Sequence, residues 1–126
     1  MKALSIRQPY IGLIADEIKL KEIRSKKTNY RGDVLLCASK NYDKQHLQAI
    51  KMLYKKEKGF VPIFFDLFGK SVCIAEIYDC QPMNESDADE ACIDYQPNMF
   101  SWYLRNIRNV IPKDIKANVG FFEANI

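Results

Sequence analysis

The sequence has few of the residues that build metal centres. There is one histidine, His46, and there are four cysteines, Cys37, Cys73, Cys80 and Cys92. Their irregular spacing forms no CxxC pair, so buried unreactive thiols are a better interpretation than a zinc site or disulfides. Glycine-rich phosphate loops, HExxH and nucleophile elbows are also missing. We therefore expect neither a metal nor a cofactor.

Long apolar runs are missing as well. The first residues are interrupted by Arg7, Gln8 and Pro9, so they form no signal-peptide core. No stretch approaches the roughly 18 apolar residues of a membrane span. We expect a cytoplasmic protein without a membrane partner.

Length and composition are those of one folded domain. The 126 residues are 48% hydrophobic and 28% charged, without a repeat, a low-complexity tract or a linker. Such a chain can bury one core, and we expect a single domain over residues 1–126.

Charge is distributed unevenly along the chain, although the formal net charge is only +3. Residues 19–31 carry six basic side chains and one acid, Glu22, whereas residues 85–94 carry five acids and no base. A local basic field can recruit a polyanion. The alternative is that the lysines only make the surface soluble.

Hydrophobic patterning predicts more sheet than helix. Strands are predicted at 3–6, 19–25, 34–38, 71–80, 100–110 and 120–123, and the apolar run 34–38 is typical of a central strand. Helices are predicted from Tyr10 to about Glu17 and, between an Asp43 N-cap and Gly59, at 44–58. Residues 60–68 are a short helix or an irregular covering loop, and 84–94 a loop with a helical turn.

This order of elements gives an α+β chain. A small, partly closed mixed β-barrel with two to three flanking helices is the natural arrangement, because it removes strand edges.

Four blocks of sequence, in order, resemble the ASCH domain family. They are Ala3–Tyr10 (ALSIRQPY), Lys19–Ser25 (KLKEIRS), Thr28–Gly32 (TNYRG) and Cys37–Lys40 (CASK), and the closing segments FSW at 100–102 and GFF at 120–122 also fit. The resemblance implies a PUA-like barrel with a helix beside a cleft, associated with RNA.

The signature of that family is a GxKxxExR motif. Lys19, Glu22 and Arg24 occupy its K, E and R positions, and Glu17 stands where the family usually has glycine. Glu22 and Arg24, two apart on a strand, share one face and can hold the polar edge of a ligand. Lys19 can meet a phosphate or, if desolvated, act as a nucleophile or base. The alternative is a surface ion-pair cluster of little energetic value.

Other candidate residues follow the first and third strands. Ser5, Arg7 and Gln8 precede the first helix, whose free N–H groups attract anions. Ser39 and Lys40 approach the same place from the next strand, and Tyr42 is available to stack on a base. Trp102 is better interpreted as a core residue.

Three functions compete. The first is binding of single-stranded RNA or a nucleotide in a basic cleft, with Arg7, Lys19, Arg24 and Lys40 on phosphate and Glu22 on a base edge. The second is a small hydrolase, a ribonuclease or one resembling the family's acetylcytidine amidohydrolases, with Lys19 and Glu22 catalytic. In that branch a threonine and a distant glutamate assist the lysine; here Glu22 stands at the threonine position and Glu76 is a candidate acid. The third is a protein-interaction module that uses residues 85–94 and 60–68.

Overall fold

The computed structural model describes residues 1–125 as one mixed sheet with three helices. The strands are β1 (Lys2–Ile6), β2 (Lys21–Arg24), β3 (Gly32–Ala38), β4 (Lys70–Pro82), β5 (Phe100–Asn109) and β6 (Phe122–Glu123). The helices are α1 (Tyr10–Ala15), α2 (Lys44–Lys58) and α3 (Ala88–Ala91). Two 3-10 turns, at Ile63–Asp66 and Glu85–Asp87, complete the fold.

The six strands lie in the order β2-β5-β4-β3-β1-β6. Strands β1 and β3 are parallel, with Ser5 opposite Cys37, and the other neighbours are antiparallel. The parallel pair brings the carboxyl ends of β1 and β3 to the same edge of the sheet, where Arg7 and Ser39 follow.

The sheet is curled into a half-barrel. Trp102 on β5 stacks on Phe121, next to β6, with ring centres 5.5 Å apart. Four strand spacings separate β5 from β6, which would be about 19 Å in a flat sheet. The α+β class and the partly closed mixed barrel expected from the sequence are therefore confirmed.

The main core lies between the curled sheet and α1. Ile11, Ile14 and Ala15 of the helix pack against apolar residues of all the long strands. Strand β3 is buried on both faces: Val34 and Leu36 belong to this core, and Leu35 and Cys37 to a second cluster with Phe122. The central position predicted for β3 is confirmed.

Helix α1 ends earlier than predicted. Glu17 has a positive φ of 61°, which breaks the helical path, and the N–H groups of Ile18 and Lys19 both donate to the carbonyl oxygen of Leu13. The chain thereby turns directly from α1 towards β2.

Helix α2 has the predicted boundaries. Asp43 caps its start by accepting from the N–H of His46 at 3.0 Å, and Gly59 ends it with φ 80°. Leu47 and Tyr54 are buried, whereas Met52 is exposed. Met52 lies about 140° around the helix from Leu47, so it faces away from the protein.

Of the two structures predicted for residues 60–68, a short helix and an irregular covering loop, the segment forms the short helix. Its 3-10 turn buries Phe65 completely, against Gly12 of α1 and Tyr54 of α2. It therefore covers the outer side of α1.

The cysteines are free thiols. Burial raises the pKa of Cys37 to about 11 and that of Cys73 to about 12. Within residues 1–125 no group of three or more His, Cys, Asp or Glu side chains could hold a metal ion. No helix in the described range is long and apolar enough to cross a membrane.

Candidate functional site

A cleft of about 440 Å³ opens where β1, α1 and β2 meet. Five of the residues predicted for the site line it: Ser5, Arg7, Lys19, Glu22 and Arg24. Strand alternation places Glu22 and Arg24 on the same side of β2, and β1 ends opposite them. The KxxExR residues and the end of β1 therefore form one site.

Arg24 is fixed by contacts at both ends of its guanidinium. Its Nε–H donates to Glu22 Oε2 at 3.2 Å, and its Nη2 donates to the backbone oxygen of Ser5 at 3.0 Å. The guanidinium also lies 5.8 Å from the ring centre of Trp102. These contacts preorganise the carboxylate and the guanidinium for a polar ligand.

Lys19 is the most deeply buried charged residue of the cleft, with 1% of its surface exposed. Its Nζ donates to the backbone oxygen of Ala91 and lies 3.7 Å from Glu22 Oε1. The ring centre of Tyr10 lies 5.5 Å away. Burial lowers the pKa of Lys19, and the neighbouring Glu22 only partly offsets that effect. Lys19 is thus a buried amine beside a carboxylate.

The acidic segment is bound to β2 of the same chain. Lys21 Nζ lies 2.8 Å from Asp87 Oδ1 and 3.2 Å from Glu90 Oε1, and the N–H of Leu20 donates to Glu90 O at 2.7 Å. Two of the five acids of residues 85–94 thus neutralise a base of residues 19–31. The basic field is smaller than the charge count predicted.

Asp87 anchors this segment from a buried position. It accepts from Lys21, from Ser101 Oγ at 2.8 Å and from the N–H of Asn84 at 2.9 Å. Burial alone would raise the pKa of Asp87, but these donors outweigh it and hold the pKa below its ordinary value.

Gln8 lies outside the cleft. Its side-chain Nε2 donates to the backbone oxygens of Phe64 at 2.6 Å and Leu67 at 3.0 Å, and its Oε1 accepts from the N–H of Gly12. The amide is fully used in attaching the segment 60–68 to α1. The N–H groups of Gly12 and Ile11, which the sequence suggested as free anion donors, bond within the protein.

Three further candidates are separate from the cleft. Tyr42 packs on Phe68, with ring centres 4.8 Å apart. Ser39 and Lys40 line a second cavity, of about 270 Å³, which shares Ser5 with the cleft. Ser39 and Lys40 were expected in the same cleft as Lys19, but they line a separate cavity that adjoins it.

Glu76 does not line the cleft. It lies on β4 and forms an ion pair with Arg105 at 2.9 Å. Trp102 is a core residue, as the sequence indicated, and its Nε1–H donates to Lys26 O at 2.9 Å.

The sequence did not indicate the part of the cleft wall that is formed by Ile93, Gln96 and Met99. These residues follow α3 and reach the cleft because the acidic segment docks on β2. The only signal in the sequence was the complementary charge of the two segments.

The family model of the ASCH domain matches residues 4–114. No curated protein matches the chain.

Proposed function

The chain belongs to the ASCH domain family, and from this premise we propose that its cleft binds single-stranded RNA or a nucleotide. The observation that carries the proposal is that three basic residues, Arg7, Lys19 and Arg24, line one cleft that holds a single carboxylate. That carboxylate, Glu22, lies beside Lys19 and Arg24. Three cations and one anion leave the cleft positive, which suits a phosphate-bearing ligand.

Size and chemistry agree with a nucleotide. A cleft of about 440 Å³ falls within the range of small-molecule sites. Glu22 can accept hydrogen bonds from the amino or imino N–H groups of a base, whereas the exposed Arg7 offers a planar fork to a phosphate. Unpaired RNA presents both groups together.

Binding of a fluorescent single-stranded RNA and of a nucleoside monophosphate, each at two salt concentrations, tests the proposal. Arg7→Ala and Glu22→Gln are the informative variants, because Arg7 is exposed and glutamine keeps the shape of Glu22. Lys55→Ala, an exposed position on α2, is the matched control.

We expect salt-sensitive binding that weakens about tenfold in each cleft variant, since a hydrogen bond to a charged group contributes about 1.5–3 kcal/mol. The control should bind as the wild type does. A folded wild type that binds neither ligand would refute the proposal, as would equal affinity in all variants.

A hydrolase is the second candidate, favoured by one observation. Lys19 has a lowered pKa, is buried and lies beside Glu22 in a cleft, which is the environment of many catalytic amines. The substrates to try are RNA and acetylcytidine. An enzyme would be established if the wild type forms product, Lys19→Met and Glu22→Gln do not, and Lys19→Met still binds the substrate. If the substrate stays intact after long incubation with the wild type, this candidate is excluded.

The protein-interaction hypothesis gains no support from the contacts. Asp87 and Glu90 are paired with Lys21, and Phe65 is buried against α1. Both segments that would have met a partner are partly used inside the protein.

A further inference from the structure

A second cavity adjoins the cleft on the other side of Ser5. It has a volume of about 270 Å³ and its lining includes Ser39, Lys40, Gly69 and Lys116. Ser5 lines both cavities, so the two cavities are neighbours.

Parallel pairing of β1 and β3 explains why the cavities are neighbours. Ile6 lies opposite Ala38, and the N–H of Ser39 donates to Ile6 O at 2.9 Å. The residues that follow, Arg7 after β1 and Ser39 and Lys40 after β3, therefore leave two adjacent strands, about 4.8 Å apart, at the same edge of the sheet. Arg7 enters the cleft and Lys40 enters the second cavity.

The segment after β5 supplies the far wall of the second cavity and is held at several points. The N–H of Ser71 donates to Lys113 O at 2.9 Å, and Ser71 Oγ accepts from the N–H of Lys113 at 3.0 Å. The N–H of Ile115 donates to Gly69 O at 3.0 Å. Lys116 follows directly, so its position beside the cavity is set by backbone contacts.

The chemistry of the second cavity is that of a phosphate subsite. Its lining contains two lysines and the hydroxyl of Ser39 and, within the described residues, no acid. The nearby Asp114 is paired with Lys70 at 2.6 Å. A Cβ at Gly69 would lie 2.9 Å from Lys40 Cε, so the glycine leaves room for the lysine chain.

We propose that the second cavity binds the phosphate of the next nucleotide, so that the ligand is a single strand of RNA at least two nucleotides long, crossing Ser5. The inference rests on the proposed function of the cleft and specifies its substrate class. Lys116, which no motif marked, becomes a binding residue, and Ser39 and Lys40 act on a different nucleotide from Glu22.

Ligand length tests this proposal. The affinities of a nucleoside monophosphate and of single-stranded RNAs of two and more nucleotides are measured for the wild type and for Lys40→Ala/Lys116→Ala. Lys55→Ala/Lys56→Ala, two exposed lysines of α2, is the matched control. Urea unfolding of each variant checks that the fold is kept.

We expect the cavity variant to lose about tenfold in affinity for the longer RNAs and to lower the slope of log affinity against log salt by about 0.7, the effect of losing one phosphate contact on a single strand. Its affinity for the monophosphate should not change. If Lys40→Ala/Lys116→Ala leaves the RNA affinity unchanged while Arg7→Ala lowers it, the second subsite is refuted and the proposal for the cleft is supported. A wild type that binds neither monophosphate nor RNA would overturn both proposals.

Discussion

Glu17 holds a backbone conformation that residues with side chains rarely adopt, with φ at 61°. The left-handed region costs a residue with a side chain roughly 1–2 kcal/mol. The turn nevertheless forms, because the N–H groups of Ile18 and Lys19 both bond to Leu13 O. The position at which the ASCH pattern has glycine is thus a turn that requires a positive φ, and the glutamate is tolerated there.

Glu17→Gly should raise the free energy of unfolding by about 1 kcal/mol, because glycine relieves the left-handed strain and loses part of that gain to unfolded-state entropy. Urea denaturation measures the change. Glu57→Gly, at an exposed position inside α2, is the control and should lose about 1 kcal/mol. Equal losses at both positions would mean that the Glu17 side chain makes contacts worth more than the strain.

Lys19 should make the stability of the protein rise with pH. A lysine in the unfolded chain has a pKa of about 10.5, and burial lowers the pKa of Lys19 in the folded protein. Between the two values the unfolded chain holds a proton that the folded protein has released, so the free energy of unfolding increases with pH. Below both values the cost of the buried charge is fully present.

Comparison with Lys19→Met isolates this effect, since methionine fills similar space without a charge. Urea unfolding of both proteins from neutral pH to about pH 10 should show the wild type gaining stability relative to the variant. A difference that stays constant with pH would mean that Lys19 keeps an ordinary pKa in the folded protein.

The KxxExR motif could be predicted from the sequence, but the burial of its lysine, Lys19, could not. Glu22 and Arg24 meet because alternate residues of a strand share a face, a rule that acts over two residues. Lys19 is buried by a contact with Ala91, 72 positions away in the chain. Local patterns carry no information on such a contact.

At the level of elements, α1 packs closely on the 3-10 turn at Ile63–Asp66. A Cβ at Gly12 would overlap the ring of Phe65. Gly12→Ala gains about 1 kcal/mol of helix propensity, but overpacking a buried contact costs about 1–3 kcal/mol, so we expect a net loss of stability in urea unfolding. Adding Phe65→Leu to Gly12→Ala should recover part of the lost stability. If the stability loss of the double variant equals the sum of the two single losses, the two residues do not compete for space.

The docking of the acidic segment depends on Lys21. Lys21→Ala should lower the free energy of unfolding by about 3 kcal/mol, because it leaves the buried carboxylate of Asp87 without its cation. Amide exchange at Leu20, whose N–H donates to Glu90, should also become faster. Asp114→Ala, which breaks the exposed pair with Lys70, is the control and should cost less than about 1 kcal/mol.

The same segment should be acid-sensitive. The pKa of Asp87 is held below its ordinary 3.8, so its stabilising effect is present above that pH and is lost as the pH falls further. The Lys21→Ala variant should not show this loss of stability on acidification. If Lys21→Ala matched the control in stability and in amide exchange, the ion pair would not hold the segment.

For the whole molecule, the class and the barrel could be predicted because strand and helix periodicities are local. The strand order could not, since β2 pairs with β5, some 80 positions later, and the register of such pairs depends on the completed core. The division of the site into two cavities has the same origin, because Lys116 reaches its cavity only through the backbone contacts of the segment after β5.

The salt dependence of RNA binding should reflect the few basic residues that face the two cavities rather than the total of 19. Single-strand binding has a slope of about −0.7 per phosphate contacted, so one phosphate in the cleft and one in the second cavity give a slope of about −1.4. A slope near zero would place recognition on the base alone. A slope steeper than about −3 would require more than twice as many phosphate contacts, and the lysine-rich exposed face of α2 is the surface that could supply them.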